Sequence, residues 1–139
     1  MVYICPMVST HPLKVHLVED SALLRELLIK SLSRLAGVEI VGSSATERDA
    51  INELASMRCD VLVLDMQLQD GSGLNVLQAV RRSDTPDHHT LVIMLTNYAS
   101  SIYRTRCLAA GADFFLDKAH DTERLEEILS AAAEDRYPE

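Results

Sequence analysis

The sequence predicts an α/β domain built on a five-stranded parallel sheet with helices on both faces. Short segments rich in β-branched, aromatic or leucine residues recur five times in 139 residues, and each is followed by a segment with apolar residues at helical spacing. One of the short segments, "VLVL" over 61–64, is apolar without alternation, as burial on both faces of a sheet demands. Strand and helix alternating in this way give crossover connections, and hence parallel pairing.

The first strand is "LKVHLV" (Leu13 to Val18). The helix after it carries a stripe of Leu24, Leu28 and Leu35, with Leu27 and Leu32 beside it, and Gly37 is expected to close it. "VEIVG" (Val38 to Gly42) is the second strand. Thr46, with Asp49 three residues on, is a weak capping signal for a helix carrying Ile51, Leu54 and Ala55. "DVLVLD" (Asp60 to Asp65) is the third strand, and Val76, Leu77 and Val80 mark the helix that follows. "TLVIML" (Thr90 to Leu95) is the fourth. Its helix ends after "CLAA" at Gly111, where a left-handed residue is wanted. "DFFLDK" (Asp113 to Lys118) is the fifth strand. Asp121 or Thr122 can cap the last helix, whose stripe is Leu125, Ile128, Leu129 and Ala132. The domain is expected over 13–135, after a loose leader (1–12) and before a short tail (136–139).

Composition narrows the function classes. With 47% apolar and 24% charged residues, the chain has the make-up of a single globular domain. Its longest apolar runs are strand-sized, so no membrane span is expected. The start, "MVYICPMVSTHP", lacks the basic and apolar regions of a signal peptide. Three scattered cysteines, Cys5, Cys59 and Cys107, fit neither a disulfide framework nor a metal site, and point to a reducing cytoplasm. Cys59 and Cys107 sit among apolar neighbours and read as core residues. A net charge of −8 argues against direct nucleic-acid binding, which needs clustered Lys and Arg.

Ligands of open α/β sheets bind outside the carboxyl ends of the strands. There the sequence places Glu19 and Asp20 after the first strand, Asp65 on the third, Thr96 on the fourth and Lys118 on the fifth. Taken singly, each has an ordinary reading. Glu19 and Asp20 could cap a helix, and Asp65 could open the turn "QDGSG". Thr96 could simply end a strand, and Lys118 could lie in solvent. Together they are harder to dismiss. Three adjacent carboxylates raise one another's pKa, and a hard divalent cation relieves the conflict. With a hydroxyl and an ammonium beside them, the set suits phosphoryl transfer, with one carboxylate as the acceptor.

These residues carry a resemblance. From about Lys14 to Ala133 the chain resembles the receiver domain of two-component response regulators, through "VHLVED", "VLVLDMQLQDGSGLNVL", "LVIMLT" and "CLAAGADFFLDK" in order. The resemblance implies a doubly wound, flavodoxin-like (βα)5 sheet of order 2-1-3-4-5. It implies that Asp65 accepts a phosphoryl group from a sensor histidine kinase or a phosphotransfer protein. Glu19, Asp20, Asp65 and the Gln67 main-chain carbonyl would hold Mg2+ (or Mn2+). Thr96 and Lys118 would bind the phosphoryl oxygens, and Thr96 with Phe115 would form the switch. The switched surface, of the fourth helix, fifth strand and fifth helix, includes Tyr103, Arg104, Arg124, Glu126 and Glu127, and could bind a partner or pair two copies. The only catalysis implied is of the chain's own phosphorylation and dephosphorylation. Whether Phe114 or Phe115 faces inward is a register question the sequence leaves open.

Three departures from the family pattern stand out. Ala119 replaces the proline that usually follows the lysine through a cis bond. A cis bond without proline costs about 3–4 kcal/mol, so the bond is either trans in an altered loop or strained. Gln69 replaces another proline and is expected to loosen its loop. Asn97 and Tyr98 follow Thr96 where small residues are common, and with Gln67 they are candidates for setting the phosphoryl lifetime. These departures favour the competing reading, an interaction module that works without phosphorylation. A flavin carrier of the same fold is disfavoured, because "VEDSALLRE" is acidic where a phosphate loop is needed. No site role is assigned to the five histidines, and His16 reads as a plain strand residue.

Overall fold

A computed structural model of the chain describes residues 11–97 and 100–135. Nearly all of the expected leader (1–12), the tail (136–139), Cys5 and Tyr98 lie outside the described residues. The elements run β1 (Leu13–Val18), α1 (Ala22–Ser33), β2 (Val38–Ser44), α2 (Glu47–Ser56), β3 (Val61–Leu64), α3 (Gly73–Ser83), β4 (Leu91–Thr96), α4 (Ser101–Ala109), β5 (Phe114–Asp117) and α5 (Thr122–Asp135). The sheet is parallel throughout, in the order β2-β1-β3-β4-β5. Fold class and strand order are those expected.

Alternation along the strands divides the core in two. Leu13, Val15 and Leu17 of β1, with Val61, Val63, Ile93, Leu95 and Leu116, pack under α1 and α5. Val18, Leu62, Leu64, Val92, Met94 and Phe115 pack under α2, α3 and α4. Pairing of Met94 with Phe115 fixes the register of β5. Phe115 is therefore buried with the second cluster, and Phe114 is half-buried against the first, with the Arg124 guanidinium 6.0 Å from its ring centre. Cys59 and Cys107 are buried, as expected.

The caps follow the sequence with one exception. Thr46 Oγ1 accepts the Asp49 N–H at 3.1 Å, and Gly111 takes φ +108° just past α4. Gly37, however, does not close α1. The helix ends at Ser33, and its last turn tightens so that Leu35 N–H donates to the Leu32 carbonyl at 3.1 Å. Leu35 thus lies beyond the helix, and Gly37 serves instead, at φ +77°, in the turn into β2. On the apolar face of α1, Leu28 and Leu32 are buried, while Leu27, expected beside the stripe with Leu32, is 54% exposed. At α5, Asp121 precedes the helix, and its carboxylate turns back to accept the Asp117 N–H at 2.8 Å.

Candidate functional site

Every site residue leaves the sheet from the same end. Beyond β1, Ser21 caps α1 by accepting the Leu24 N–H at 3.2 Å, while its own N–H donates to Glu19 Oε2 at 3.0 Å. Arg25, one turn into α1, donates from Nη1 to the Glu19 carbonyl at 2.7 Å. These bonds turn the Glu19–Asp20 pair across the end of the sheet. Beyond β3, Asp65 N–H donates to the Val18 carbonyl at 3.0 Å, which sets the two acidic turns side by side. Its Oδ1 accepts the Gln67 N–H at 3.2 Å, the short-range bond by which an aspartate opens a turn. Gly73 then passes so close that a Cβ there would overlap the Asp65 carbonyl oxygen. Only glycine fits.

Lys118 completes the arrangement from β5. Its N–H donates to the Thr96 carbonyl at 2.9 Å. Its Nζ reaches Glu19 Oε1 at 2.6 Å and Asp65 Oδ2 at 2.8 Å. The Lys118–Ala119 bond is trans, as are all the described peptide bonds, and the lysine still reaches both carboxylates. Thr96 is fully buried at the end of β4, and Asn97 after it is exposed. The loop carrying Gln69 is closed rather than loose: Gly73 N–H donates to the Met66 carbonyl at 2.8 Å, and Gln67 bridges Ser72.

Burial and charge are in conflict here. Glu19 and Asp65 are 2% and 5% exposed, and burial pushes both carboxyl pKa values up, with Lys118 only partly offsetting it. Burial pulls the Lys118 ammonium down, but its hydrogen bonds to Asp65 and Glu19 outweigh that and leave it raised. Glu19, Asp20 and Asp65 each offer an oxygen within 4.8 Å of the others. Three carboxylates facing one ammonium leave two negative charges in excess. A hard divalent cation fits this donor set in charge and in ligand type.

The model of the family described as "Response regulator receiver domain" matches residues 15–130. The chain belongs to that family. Among curated relatives, the response regulator protein PilR of Pseudomonas aeruginosa is 36% identical over 128 residues, which are 91% of this chain and 27% of that protein. A protein-glutamate methylesterase/protein-glutamine glutaminase of Myxococcus xanthus is 34% identical over 124 residues, 88% of this chain and 35% of that protein. The chain thus spans about a third or less of the length of either. Among solved structures, the chemotaxis protein CheY4 of Vibrio cholerae superposes with a TM-score of 0.75 at 28% identity, over 86% of this chain and 98% of that one.

The geometry brings Glu19, Asp20, Asp65 and Lys118 together, with Thr96 held to Lys118 through the main chain. Phe115 lies in the second core cluster. Sequence reasoning overlooked Arg25 and Gly73. A glycine at the start of a helix was a signal for the second, because Gly is disfavoured inside helices unless something else needs the space. Nothing local marked Arg25.

Proposed function

We propose that this receiver domain accepts a phosphoryl group on Asp65 from a phosphohistidine of a sensor kinase or phosphotransfer protein. One observation carries the reading: two acidic turns and one lysine, from three different strands, converge on the Asp65 carboxylate. An Asp65 oxygen attacks phosphorus, the O–P bond forms as the N–P bond breaks, and the imidazole nitrogen leaves with the electron pair. Glu19, Asp20, Asp65 and the Gln67 carbonyl would hold Mg2+ (or Mn2+), which when bound neutralises charge on the phosphoryl oxygens. Lys118 already touches Asp65 and needs little movement to bind a transferred phosphoryl oxygen. Thr96, buried at the strand end, is the hydroxyl for another.

Thr96 and Phe115 form the switch in this reading, and α4, β5 and α5 are the surface that changes partner or pairs two copies. On that surface Arg104 Nη1 donates to the Phe115 carbonyl at 3.4 Å, which links α4 to the switch strand. Gln67 and Asn97, both exposed beside the site, and Tyr98 would set how long the phosphoryl group lasts. No described helix is long and apolar enough to cross a membrane. We assign the domain to the cytoplasm, with limits at 13–135, and without direct nucleic-acid contact.

The test is intact mass after incubation with a small-molecule acyl phosphate, with and without Mg2+, on wild type and Asp65→Asn. A phosphoryl adduct that needs Mg2+ and vanishes in the variant is expected. No adduct, together with no Mg2+ binding by titration, would leave an interaction module that works without phosphorylation.

A further inference from the structure

The loop between β3 and α3 is held from outside by a residue that belongs to neither. Glu47 opens α2, and its Oε1 accepts the Ser72 N–H at 2.9 Å and an Asn75 Nδ2 hydrogen at 3.1 Å. Its own N–H donates to the Asp70 carbonyl at 3.0 Å. Gly71, at φ +101°, lets the loop lie directly on this side chain, since a Cβ there would overlap Glu47 Cβ. Three successive residues of the loop, Asp70 to Ser72, are thus fastened to the first residue of α2.

That contact reaches the site in two short steps. Ser72 bridges Gln67 across the loop, and the next residue, Gly73, donates to the Met66 carbonyl at 2.8 Å. Gln67 N–H in turn donates to Asp65 Oδ1 at 3.2 Å. Fixing Ser72, and Gly73 after it, therefore fixes the Met66–Gln67 peptide, whose N–H holds the Asp65 rotamer and from which the chain runs on to the Gln67 carbonyl. We propose that Glu47 is a positioning residue for the cation site, clamping Ser72 so that the Gln67 carbonyl is held in place before the cation arrives. This rests on the phosphoryl-transfer reading, in which that carbonyl is a ligand. Partners that orient ligands typically contribute about 10–100-fold to metal affinity. Glu47 needs only its acceptor oxygen for this, not its charge.

The experiment is a calorimetric Mg2+ titration and an acyl-phosphate rate measured against Mg2+, on wild type, Glu47→Ala, Glu47→Asp and Glu47→Gln. Glu47→Ala and Glu47→Asp remove or retract the acceptor. They are expected to bind Mg2+ about tenfold more weakly, with the rate restored when Mg2+ is raised. Glu47→Gln keeps the oxygen and is expected to restore wild-type affinity. A purely structural tie between α2 and α3 would lower unfolding stability without moving Mg2+ affinity. Wild-type affinity in Glu47→Ala overturns the proposal. So does an equal loss in Glu47→Gln, which would mean that charge alone matters. If Glu47→Ala does not fold, the Asp and Gln variants decide by the same readout. If wild type binds no Mg2+ and takes up no phosphoryl group, the phosphoryl-transfer reading is what has failed, and the clamp falls with it.

Discussion

The two ends of the sheet treat charge in opposite ways. At the amino ends of β4 and β5, Arg81 of α3 donates from Nε to the Gly111 carbonyl at 2.8 Å and from Nη1 to the Thr90 carbonyl at 2.7 Å. Nη1 also pairs with Asp84 at 2.8 Å, and Nη2 with Asp113 at 2.9 Å. The Asp113 carboxylate accepts the Val92 N–H as well, at 2.8 Å. Each charged group has partners on several sides, so the guanidinium ties α3 to the starts of two strands. At the carboxyl ends, three carboxylates share one ammonium, and burial raises two of the acids. A charge cluster whose members are hydrogen-bonded on several sides holds a fold together. A cluster left with excess charge holds a binding opportunity, at the expense of stability.

Three changes would break or sharpen this contrast. The largest effect is expected at the amino end. Arg81→Ala leaves Asp84 and Asp113 facing each other with two carbonyls unpaired, and should lower unfolding stability by about 3 kcal/mol. Urea unfolding measures this, and the Mg2+ affinity of the folded variant should not change. A stability loss below experimental error would make the amino-end cluster ornamental. At the other end, Mg2+ alone should stabilise wild type, by about 2.7 kcal/mol at one hundred times its dissociation constant. A chelator should reverse the gain in a thermal melt. Asp65→Asn, freed of one buried carboxylate, should melt higher than wild type without Mg2+ and gain less from it. A variant that melts lower would mean the Asp65–Lys118 pair is net stabilising.

The smallest effect concerns a third polar group, between the two ends. His16 lies fully buried on β1, with Nε2 2.8 Å from Ser44 Oγ, and that hydroxyl donates to Glu53 Oε1 at 3.1 Å. Its Nδ1 has no partner among the described residues. Burial lowers the His16 pKa below 6.5, the Glu53 carboxylate offsetting only part of this. The folded state therefore holds fewer protons on His16 than the unfolded state does. Stability from this residue is full above about pH 6.5 and is lost as pH falls below it. Wild type should lose more stability than His16→Gln between pH 7.5 and pH 5.5. Equal losses would show that His16 does not feel the change.

Much of this site was legible in the sequence. Glu19, Asp65, Thr96 and Lys118 each interrupt or end an apolar strand, and a polar group at such a place is conspicuous because burial penalises it. Gly111 and Thr46 were legible because their roles, a left-handed turn and a helix cap, depend on neighbours within a few residues. Gly37 misled for a related reason: it has the right conformation, but the helix had already ended in a tightened turn. Glu47 and Arg81 were not legible. Their long-range partners, Ser72 and Asn75 for Glu47 and Gly111 and Asp113 for Arg81, lie 25 to 32 residues away, and nothing near either residue shows which carbonyl or N–H packing will deliver. His16 was read as a strand residue, which it is. Its link to Ser44 depends on the irregularity between Val15 and His16 that sets His16 opposite Gly42, where a Cβ would come within 3.1 Å of the ring.

By itself the sequence determined the class of fold, the order of its elements and the end of the sheet where the candidate site residues gather. Those follow from periodicity and from connection geometry, which are local or nearly so. The tertiary structure decided which phenylalanine is inside, how far Lys118 reaches past a trans Ala119 bond, and that a helix two elements away grips the Asp65 loop. Each of these is a matter of register or distance between segments remote in the chain, and such distances are set only when the two halves of the core have packed against the sheet.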